Sequence, residues 1–106
     1  MLQDLKFSSN WNNKLECKCF TTIRPFRADR YRIGEFVRVV LNGKFLFNAE
    51  IVHFYPLNLS QISETLAHVD TGYNAADCCD IIRKMYKLKP DQDMKLMVIT
   101  AKRIKS

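Results

Sequence analysis

The residues best suited to chemistry are a threonine and an arginine two positions apart, in Thr22-Ile23-Arg24. They close a run of β-branched and aromatic residues that begins at Phe20. Pro25 follows, which predicts a strand ending near Arg24 because proline has no backbone donor. In a strand Thr22 and Arg24 share one face. A hydroxyl beside a guanidinium can bind an anion or the edge of a base, and the alternative is an ordinary solvated strand end.

The stretch that follows is the densest positive run in the chain. Arg24, Arg27, Arg30 and Arg32 fall within nine residues and are interleaved with Phe26 and Tyr31. Guanidinium groups bind phosphates and stack on bases, so this composition suits single-stranded or flipped-out nucleotides. We therefore expect ligand contacts from Arg24, Arg27, Arg30, Tyr31 and Arg32, and a further one from Tyr73. A solvated loop with arginine stems packed on the barrel is the alternative.

The net charge also favours a nucleic-acid partner, and the composition indicates a folded domain. Lys plus Arg is 17 against 11 for Asp plus Glu, a net charge of +6, which favours a polyanionic partner such as RNA or a nucleotide. A hydrophobic fraction of 47% excludes a disordered or low-complexity chain. The 106 residues fit one domain, 1–106. No apolar run reaches the ~20 residues of a membrane span and residues 1–10 lack a signal-peptide core, so we expect a cytoplasmic protein without membrane association.

The cysteines and histidines predict neither a metal nor a cofactor. Cysteines stand at 17, 19, 78 and 79, and neither pair has the two-residue gap with which two thiolates close on one zinc ion. His53 and His68 have no ligand spacing either. We expect buried free thiols in a reducing compartment rather than a zinc site or a disulfide framework.

Hydrophobic periodicity places the strands. Residues 1–14 read as an irregular lead-in. Alternation over Glu35–Leu41, the turn dipeptide Asn42-Gly43 and a return strand from Lys44 to about Tyr55 predict a long hairpin, which Pro56 ends. The apolar run in Met94–Lys102 predicts a central strand covered on both faces. One core is expected from these elements and the second helix: Val37, Val39, Phe45, Phe47, Ile51, Ile82, Leu96 and Val98.

Two helices are expected between the hairpin and the last strand. A capping pattern at Asn58 and Gln61 predicts a helix over Leu59–Ala67, after which His68–Tyr73 is too polar and glycine-broken to remain helical. Asn74 then caps a second helix with a buried stripe of Cys78, Ile81, Ile82 and Met85. Strand, hairpin, two helices and strand make an α+β protein: a small, mostly antiparallel, partly closed barrel with both helices to one side.

In this order the chain resembles a small ASCH domain of the PUA-like superfamily, from about Cys17 to Ile104. The resemblance rests on the strand end Thr22-Ile23-Arg24, on Tyr31-Arg32-Ile33-Gly34 before a valine-rich strand, and on Ala49-Glu50-Ile51-Val52 in the hairpin. The later elements fall in family order. The resemblance implies a barrel with a cleft and a role with RNA or modified nucleosides. Some members are amidohydrolases that deacetylate acetylcytidine.

Those amidohydrolases use a lysine, a threonine and a glutamate. The resemblance puts Thr22 at the threonine and Cys19 at the lysine, with Lys18 one residue earlier; Lys18 can substitute only if a bulge precedes Phe20. The glutamate position falls at Asp70. The first hypothesis is therefore an RNA- or nucleotide-binding module that uses the cleft. The second is a nucleoside-directed hydrolase with Thr22, Lys18 and Asp70 as catalytic residues, and a protein-interaction module is the third.

Overall fold

The fold is built on a five-stranded sheet curved into a half-barrel. The computed structural model describes residues 2–27, 29–90 and 92–104. The strands are β1 (Gln3–Phe7), β2 (Cys19–Pro25), β3 (Phe36–Leu41), β4 (Lys44–Asn58) and β5 (Lys95–Arg103). Their order in the sheet is β1-β3-β4-β5-β2, and every pair except β1–β3 is antiparallel. The predicted α+β class and mostly antiparallel barrel are confirmed, and β5 lies inside the sheet as expected.

The irregular lead-in predicted for residues 1–14 is wrong. Gln3–Phe7 forms β1, and Trp11–Glu16 forms a 3-10 helix. β1 pairs in parallel with β3, with Leu5 beside Val39, and Leu5 is buried. A strand of five residues with one fully buried side chain carries little periodicity of its own. Its hydrogen bonds come from a strand about thirty residues away, so local pattern does not reveal it.

The predicted hairpin is present, but its outer half departs from simple alternation. Asn42 and Gly43 both have positive φ angles, 52° and 79°, as the tight turn requires. The register then shifts so that two residues of β4, from Phe45 to Phe47, span one step of β3. This bulge turns Phe45 away from the core: Phe45 is 46% exposed and Phe47 only 7%. Phe45 was therefore wrongly placed in the core.

Pro56 does not end β4, which continues to Asn58. β3 covers β4 only as far as Glu50, so beyond the hairpin β4 has β5 as its one neighbour among the described strands. Pro56 stands opposite Met97 of β5 at this open edge. A proline is tolerated in an edge strand because its missing donor can face away from the ladder. The expected stop near Tyr55 is corrected accordingly.

The two main helices are α1 (Glu64–Thr71) and α2 (Ala75–Met85). The helix predicted over Leu59–Ala67 is wrong in its bounds, because a 3-10 turn, Leu59–Gln61, comes first. Ser63 then caps α1 by accepting a hydrogen bond from the Leu66 amide at 3.0 Å. α1 runs on through residues predicted to be loop and ends at Gly72, whose φ is 79°.

Asn74 caps α2 as predicted, accepting from the Asp77 amide at 2.8 Å. The buried residues form two clusters rather than the single core expected. One fills the half-barrel and includes Val37, Val39, Phe47 and Ile51. The other lies under the helices and includes Leu59, Cys78, Ile82 and Leu96. The helices thus pack beside the half-barrel, and the space where they meet the edge of β2 holds the candidate site.

Candidate functional site

A cleft of about 150 Å³ opens between the sheet edge and the helices. The end of β1 and the chain after it, β2, the last turn of α1 and the end of α2 all contribute to its lining. The lining residues are Lys6, Phe7, Ser8, Ser9, Trp11, Lys14, Thr22, Ile23, Arg24, Asp70, Met85 and Tyr86. The predicted residues Thr22, Arg24 and Asp70 are therefore brought together in one cleft, as the resemblance implies.

Arg24 links the two edges of the sheet across the cleft floor. Its Nε donates to the Thr22 hydroxyl at 3.2 Å, and its Nη2 donates to the backbone carbonyl of Lys6 at 2.6 Å. The guanidinium also lies 4.7 Å from the centre of the Phe7 ring. Burial lowers the pKa of Arg24 below its ordinary value, although a guanidinium of this kind keeps its charge. Arg24 is thus both a cation facing the cleft and a tie between β2 and β1.

A buried ion pair lies beside this arginine. Lys14 Nζ is 3.1 Å from Asp70 Oδ1, and both side chains are buried. The Thr21 hydroxyl donates to the same carboxylate oxygen at 2.7 Å. Within the described residues, side-chain hydrogen bonds engage Oδ1 alone and leave Oδ2 available. Burial lowers the pKa of Lys14, and the charge of Asp70 opposes that shift.

The first 3-10 helix and the last turn of α1 position Lys14 and Asp70. Lys14 comes from the first 3-10 helix, where Asn12 and Asn13 adopt positive φ angles of 58° and 52°. The Asn12 side chain donates to the carbonyls of His68 and Val69 at 3.2 and 3.3 Å, which fastens this helix to the end of α1. Asp70 lies in the last turn of α1. Because α1 continues beyond its predicted end, the Asp70 carboxylate lies in the cleft.

The lysine of the site is Lys14, not Lys18. Lys18 is exposed, precedes β2 and does not line the cleft. The bulge before Phe20 that Lys18 needed is absent from the continuous pairing of β2 with β5. Sequence reasoning missed Lys14 because residues 1–14 were assigned no structure. The paired asparagines at 12 and 13, which tolerate positive φ, were the available sign of a tight turn there.

Of the arginine-rich stretch, only Arg24 lines the cleft. Arg27, Arg30 and Arg32 are exposed and do not line it, and residue 28 of the predicted Arg27–Arg32 loop lies outside the described residues. Tyr31 is only 4% exposed and belongs to the half-barrel core, so its ring cannot serve as an open stacking platform. Binding of phosphate by the three arginines stays a prediction. The assignment of Tyr31 as a ligand contact is corrected.

Tyr73 is 47% exposed beside the turn between the helices and does not line the cleft. Phe7, Trp11 and Tyr86 supply the aromatic surface there instead. Sequence reasoning missed these three because each comes from a different element. Phe7 ends β1, Trp11 begins the 3-10 helix and Tyr86 follows α2.

The cysteines are free thiols, but they are not all buried as expected. Cys17 and Cys19 are exposed, Cys78 is buried and Cys79 is half-buried. Burial raises the pKa of Cys78 to about 11. Across residues 2–27, 29–90 and 92–104, no three His, Cys, Asp or Glu side chains are grouped to hold a metal ion. No helix in those ranges is both long enough and apolar enough to span a bilayer.

Comparisons with known proteins bear on the fold. No family model matches the chain, and no curated protein matches it. Among solved structures it is similar to protein EF3133 from Enterococcus faecalis V583, described by the family model DUF984, with a TM-score of 0.71. The match covers 98% of this chain and 77% of that chain at 11% identity. At this identity the likeness shows the fold alone: a five-stranded half-barrel with two main helices.

Proposed function

We propose that this protein is a PUA-like module of the ASCH type that binds RNA or a nucleotide by receiving a base in the cleft. One observation carries the proposal. A lysine, a carboxylate, a threonine hydroxyl and a guanidinium, all largely removed from solvent, line the same small cleft as three aromatic side chains. Burying charged groups costs free energy, so a group of them beside aromatic side chains in one small cleft favours a ligand-binding site.

The mixture of donors and acceptors favours a base over a bare anion. Lys14 Nζ has donors to spare, since Asp70 takes only one, and Asp70 Oδ2 is an open acceptor. A heterocycle with a carbonyl next to an N–H group satisfies both. A phosphate placed in the cleft would bring its negative charge against Asp70. The charged part of a nucleotide therefore belongs at the mouth of the cleft, where Lys6 lies exposed.

The aromatic residues fit the same ligand. Trp11 and Tyr86 line the cleft from two different elements, and each is partly exposed. A planar base gains about 1–3 kcal/mol from stacking on one aromatic side chain. With a volume of about 150 Å³, the cleft accepts a base more readily than a whole nucleotide. In this proposal the base of the nucleotide lies inside the cleft, and its sugar and phosphate lie outside.

Thermal shift and calorimetry with the four ribonucleosides and their monophosphates test this proposal. A ligand at a hundred times its Kd should stabilise the protein by about 2.7 kcal/mol. Asp70→Asn keeps the shape of the side chain but turns one of its oxygens into an N–H donor, so it should change the order of preference among nucleosides. Asp4→Asn, at a surface ion pair that does not line the cleft, is the matched control and should preserve that order. If no nucleoside or nucleotide stabilises the wild-type protein, the proposal is wrong.

A second candidate function is hydrolysis of an acylated nucleoside, such as the acetylcytidine that the resemblance to ASCH amidohydrolases implies. The observation that favours it is the position of Lys14. A buried lysine stands beside Asp70 in the cleft that holds Thr22, although the sequence offered only Lys18. The lowered pKa of Lys14 increases its neutral fraction, which is the form that can accept a proton.

In that reaction the Thr22 hydroxyl would attack the acyl carbon and pass its proton to neutral Lys14. The amide C–N bond then breaks, Lys14 returns the proton to the departing amine of the nucleoside, and water hydrolyses the acyl-threonine to the free acid and Thr22. The Thr22 oxygen already accepts a hydrogen bond from Arg24, a donor that can also steady the charge developing on the acyl oxygen. Incubation with acetylcytidine tests this function. Thr22→Val should abolish turnover and leave binding intact, whereas Thr100→Val, on β5 and outside the cleft lining, should retain turnover. Equal turnover by wild type and Thr22→Val would exclude the mechanism.

A further inference from the structure

A second recess opens beside the start of β2, and two exposed cysteines line it. Its volume is about 350 Å³. Cys17 and Cys19 contribute to the lining together with Thr21, which shares a strand face with Cys19. Val69, near the end of α1, borders the recess as well. Both cysteines are free thiols, and neither lines the cleft. The recess therefore presents two accessible thiols at one place.

Hydrogen bonds fix the backbone on both sides of this pair of thiols. The Cys17 amide donates to the Lys14 carbonyl at 3.0 Å, where the first 3-10 helix ends, and the Cys17 backbone is extended. The Lys18 carbonyl accepts from the Arg103 amide at 2.6 Å, and Cys19 begins the ladder with β5. The two cysteines are thus held between the end of the 3-10 helix and the first rung of the ladder.

The spacing of the two thiols suits a metal ion held by two thiolates. Residues two apart in a chain have Cα atoms at most about 7 Å from each other. Each thiol rotates about its Cα–Cβ bond, so the sulfur atoms can approach to about 4.6 Å, the span of two metal–thiolate bonds of about 2.3 Å in a line. A disulfide fits less well, because its Cα atoms are usually about 5.5–6 Å apart and an extended pair is about 6.6 Å apart.

The number of ligands selects the metal. A structural zinc site takes four ligands. Across the described ranges 2–27, 29–90 and 92–104, no three His, Cys, Asp or Glu side chains are grouped to hold a metal ion. Monovalent copper differs from zinc, because it is a soft ion that prefers thiolates and is satisfied by two of them. The cysteine spacing that excludes zinc therefore does not exclude copper(I).

We propose that Cys17 and Cys19 bind one copper(I) ion between their sulfur atoms. Each thiol releases its proton to solvent as a copper–sulfur bond forms, and no electron is transferred, so binding needs neither oxidant nor reductant. The resulting complex carries one negative charge. Lys18 lies between the two cysteines, and Lys102 stands opposite Cys19 in the ladder. The acidic residue next to the pair in sequence is Glu16 alone, so these neighbours favour a negatively charged complex.

Anaerobic titration with the coloured copper(I) complex of bicinchoninate tests the site, because loss of the colour reports transfer of copper to the protein. The wild-type protein should withdraw one copper(I) ion per chain, and X-ray absorption at the copper edge should show two sulfur ligands. Cys17→Ser and Cys19→Ser each leave a single thiolate in the recess, so each variant should fail to withdraw copper from the chelator. Size-exclusion chromatography should show the same oligomeric state with and without copper.

Cys79→Ser is the matched control. Cys79 is a half-buried thiol that does not line the recess, and a serine can keep its hydrogen bond to the Leu59 carbonyl. This variant removes one thiol, as the other two variants do, and should match the wild-type protein in stoichiometry and affinity. Circular dichroism confirms that each variant is folded.

Any of three results overturns the copper site. The first is a wild-type protein that withdraws no copper from the chelator. The second is copper binding that Cys17→Ser and Cys19→Ser retain, or that Cys79→Ser loses to the same extent. The third is copper that binds only as chains associate, because the ion would then be shared between two molecules. Neither thiol lines the cleft, so this proposal and the proposed nucleotide binding can fail independently.

Discussion

Lys14 Nζ lies 3.1 Å from Asp70 Oδ1, and this buried contact joins the first 3-10 helix to the last turn of α1. The two residues are 56 positions apart in the sequence. Each charge loses hydration on burial, and the pair is tolerated because the Thr21 hydroxyl adds a second hydrogen bond to the same carboxylate oxygen. The contact therefore holds together the cleft that it lines.

Removal of one member of this pair should destabilise the protein strongly. Asp70→Ala leaves the Lys14 ammonium buried without its counter-charge, and we expect the free energy of unfolding to fall by about 3–5 kcal/mol. Urea denaturation measures the loss. Asp4→Ala is the control, because Asp4 pairs with Arg38 at 3.2 Å on the surface, where an ion pair contributes about 0–1 kcal/mol. Similar losses in the two variants would show that the buried ion pair contributes no more to stability than the surface ion pair.

Features that depend on residues close together in the sequence were predicted, and features that depend on distant residues were missed. The hairpin turn at Asn42-Gly43 and the cap at Asn74 are local, and both were predicted correctly. The α+β half-barrel also followed from the order of such elements. β1 was missed because its ladder is made with β3, and Phe45 was misplaced because a bulge breaks the period of two.

The residues of the candidate site also divide into neighbours in the sequence, which were predicted, and a distant residue, which was missed. Thr22 and Arg24 share a face of one strand, so their proximity was readable from alternation. Lys14 reaches the cleft through a 3-10 helix that Asn12 fastens to α1 by hydrogen bonds across more than fifty residues. No sequence period encodes such a contact. Lys18 was considered because the resemblance puts the lysine position at Cys19, one residue later, and Lys18 lies in solvent.

The bulge in β4 provides a matched pair of phenylalanines. Phe47 packs against Phe20 with ring centroids 6.0 Å apart, so Phe47→Ala should lower the free energy of unfolding by about 3–5 kcal/mol. Phe45 lies on the outer face beside the Arg38 guanidinium, and Phe45→Ala should cost less than about 1 kcal/mol. Chemical denaturation of both variants measures the difference. Equal costs would mean that the register of the hairpin is wrong.

The Cys78 thiol should make stability depend on alkaline pH. Burial raises its pKa from an ordinary 9.0 to about 11. Between these values the folded protein holds the proton that the unfolded chain releases, so this contribution is full below pH 9 and is lost as the pH rises toward 11. A two-unit shift corresponds to about 2–3 kcal/mol. The difference in unfolding free energy between wild type and Cys78→Ala should shrink by that amount over the range. A constant difference would show that Cys78 does not titrate as described.

Arg24 should affect both folding and ligand binding, because it bonds the Lys6 carbonyl at 2.6 Å while facing the cleft. Arg24→Ala removes a charge-assisted hydrogen bond between β2 and β1, and we expect it to lower stability by about 1.5–3 kcal/mol. This loss of stability is larger than the one expected for a side chain at a solvated strand end. Nucleotide affinity should fall by about 2–3 kcal/mol as well, measured by calorimetry at a temperature where the variant remains folded.

Arg24→Lys separates the two roles of this residue. A lysine keeps the positive charge but cannot present the planar pair of donors that bonds Thr22 and Lys6 at once. We expect Arg24→Lys to recover part of the ligand affinity and little of the stability, if the charge is what the ligand meets. Unchanged ligand affinity in folded Arg24→Ala and Arg24→Lys, with stability lost, would assign Arg24 to the closure of the half-barrel alone. In that case the cations that meet the ligand are Lys14 and Lys6, the two lysines that line the cleft.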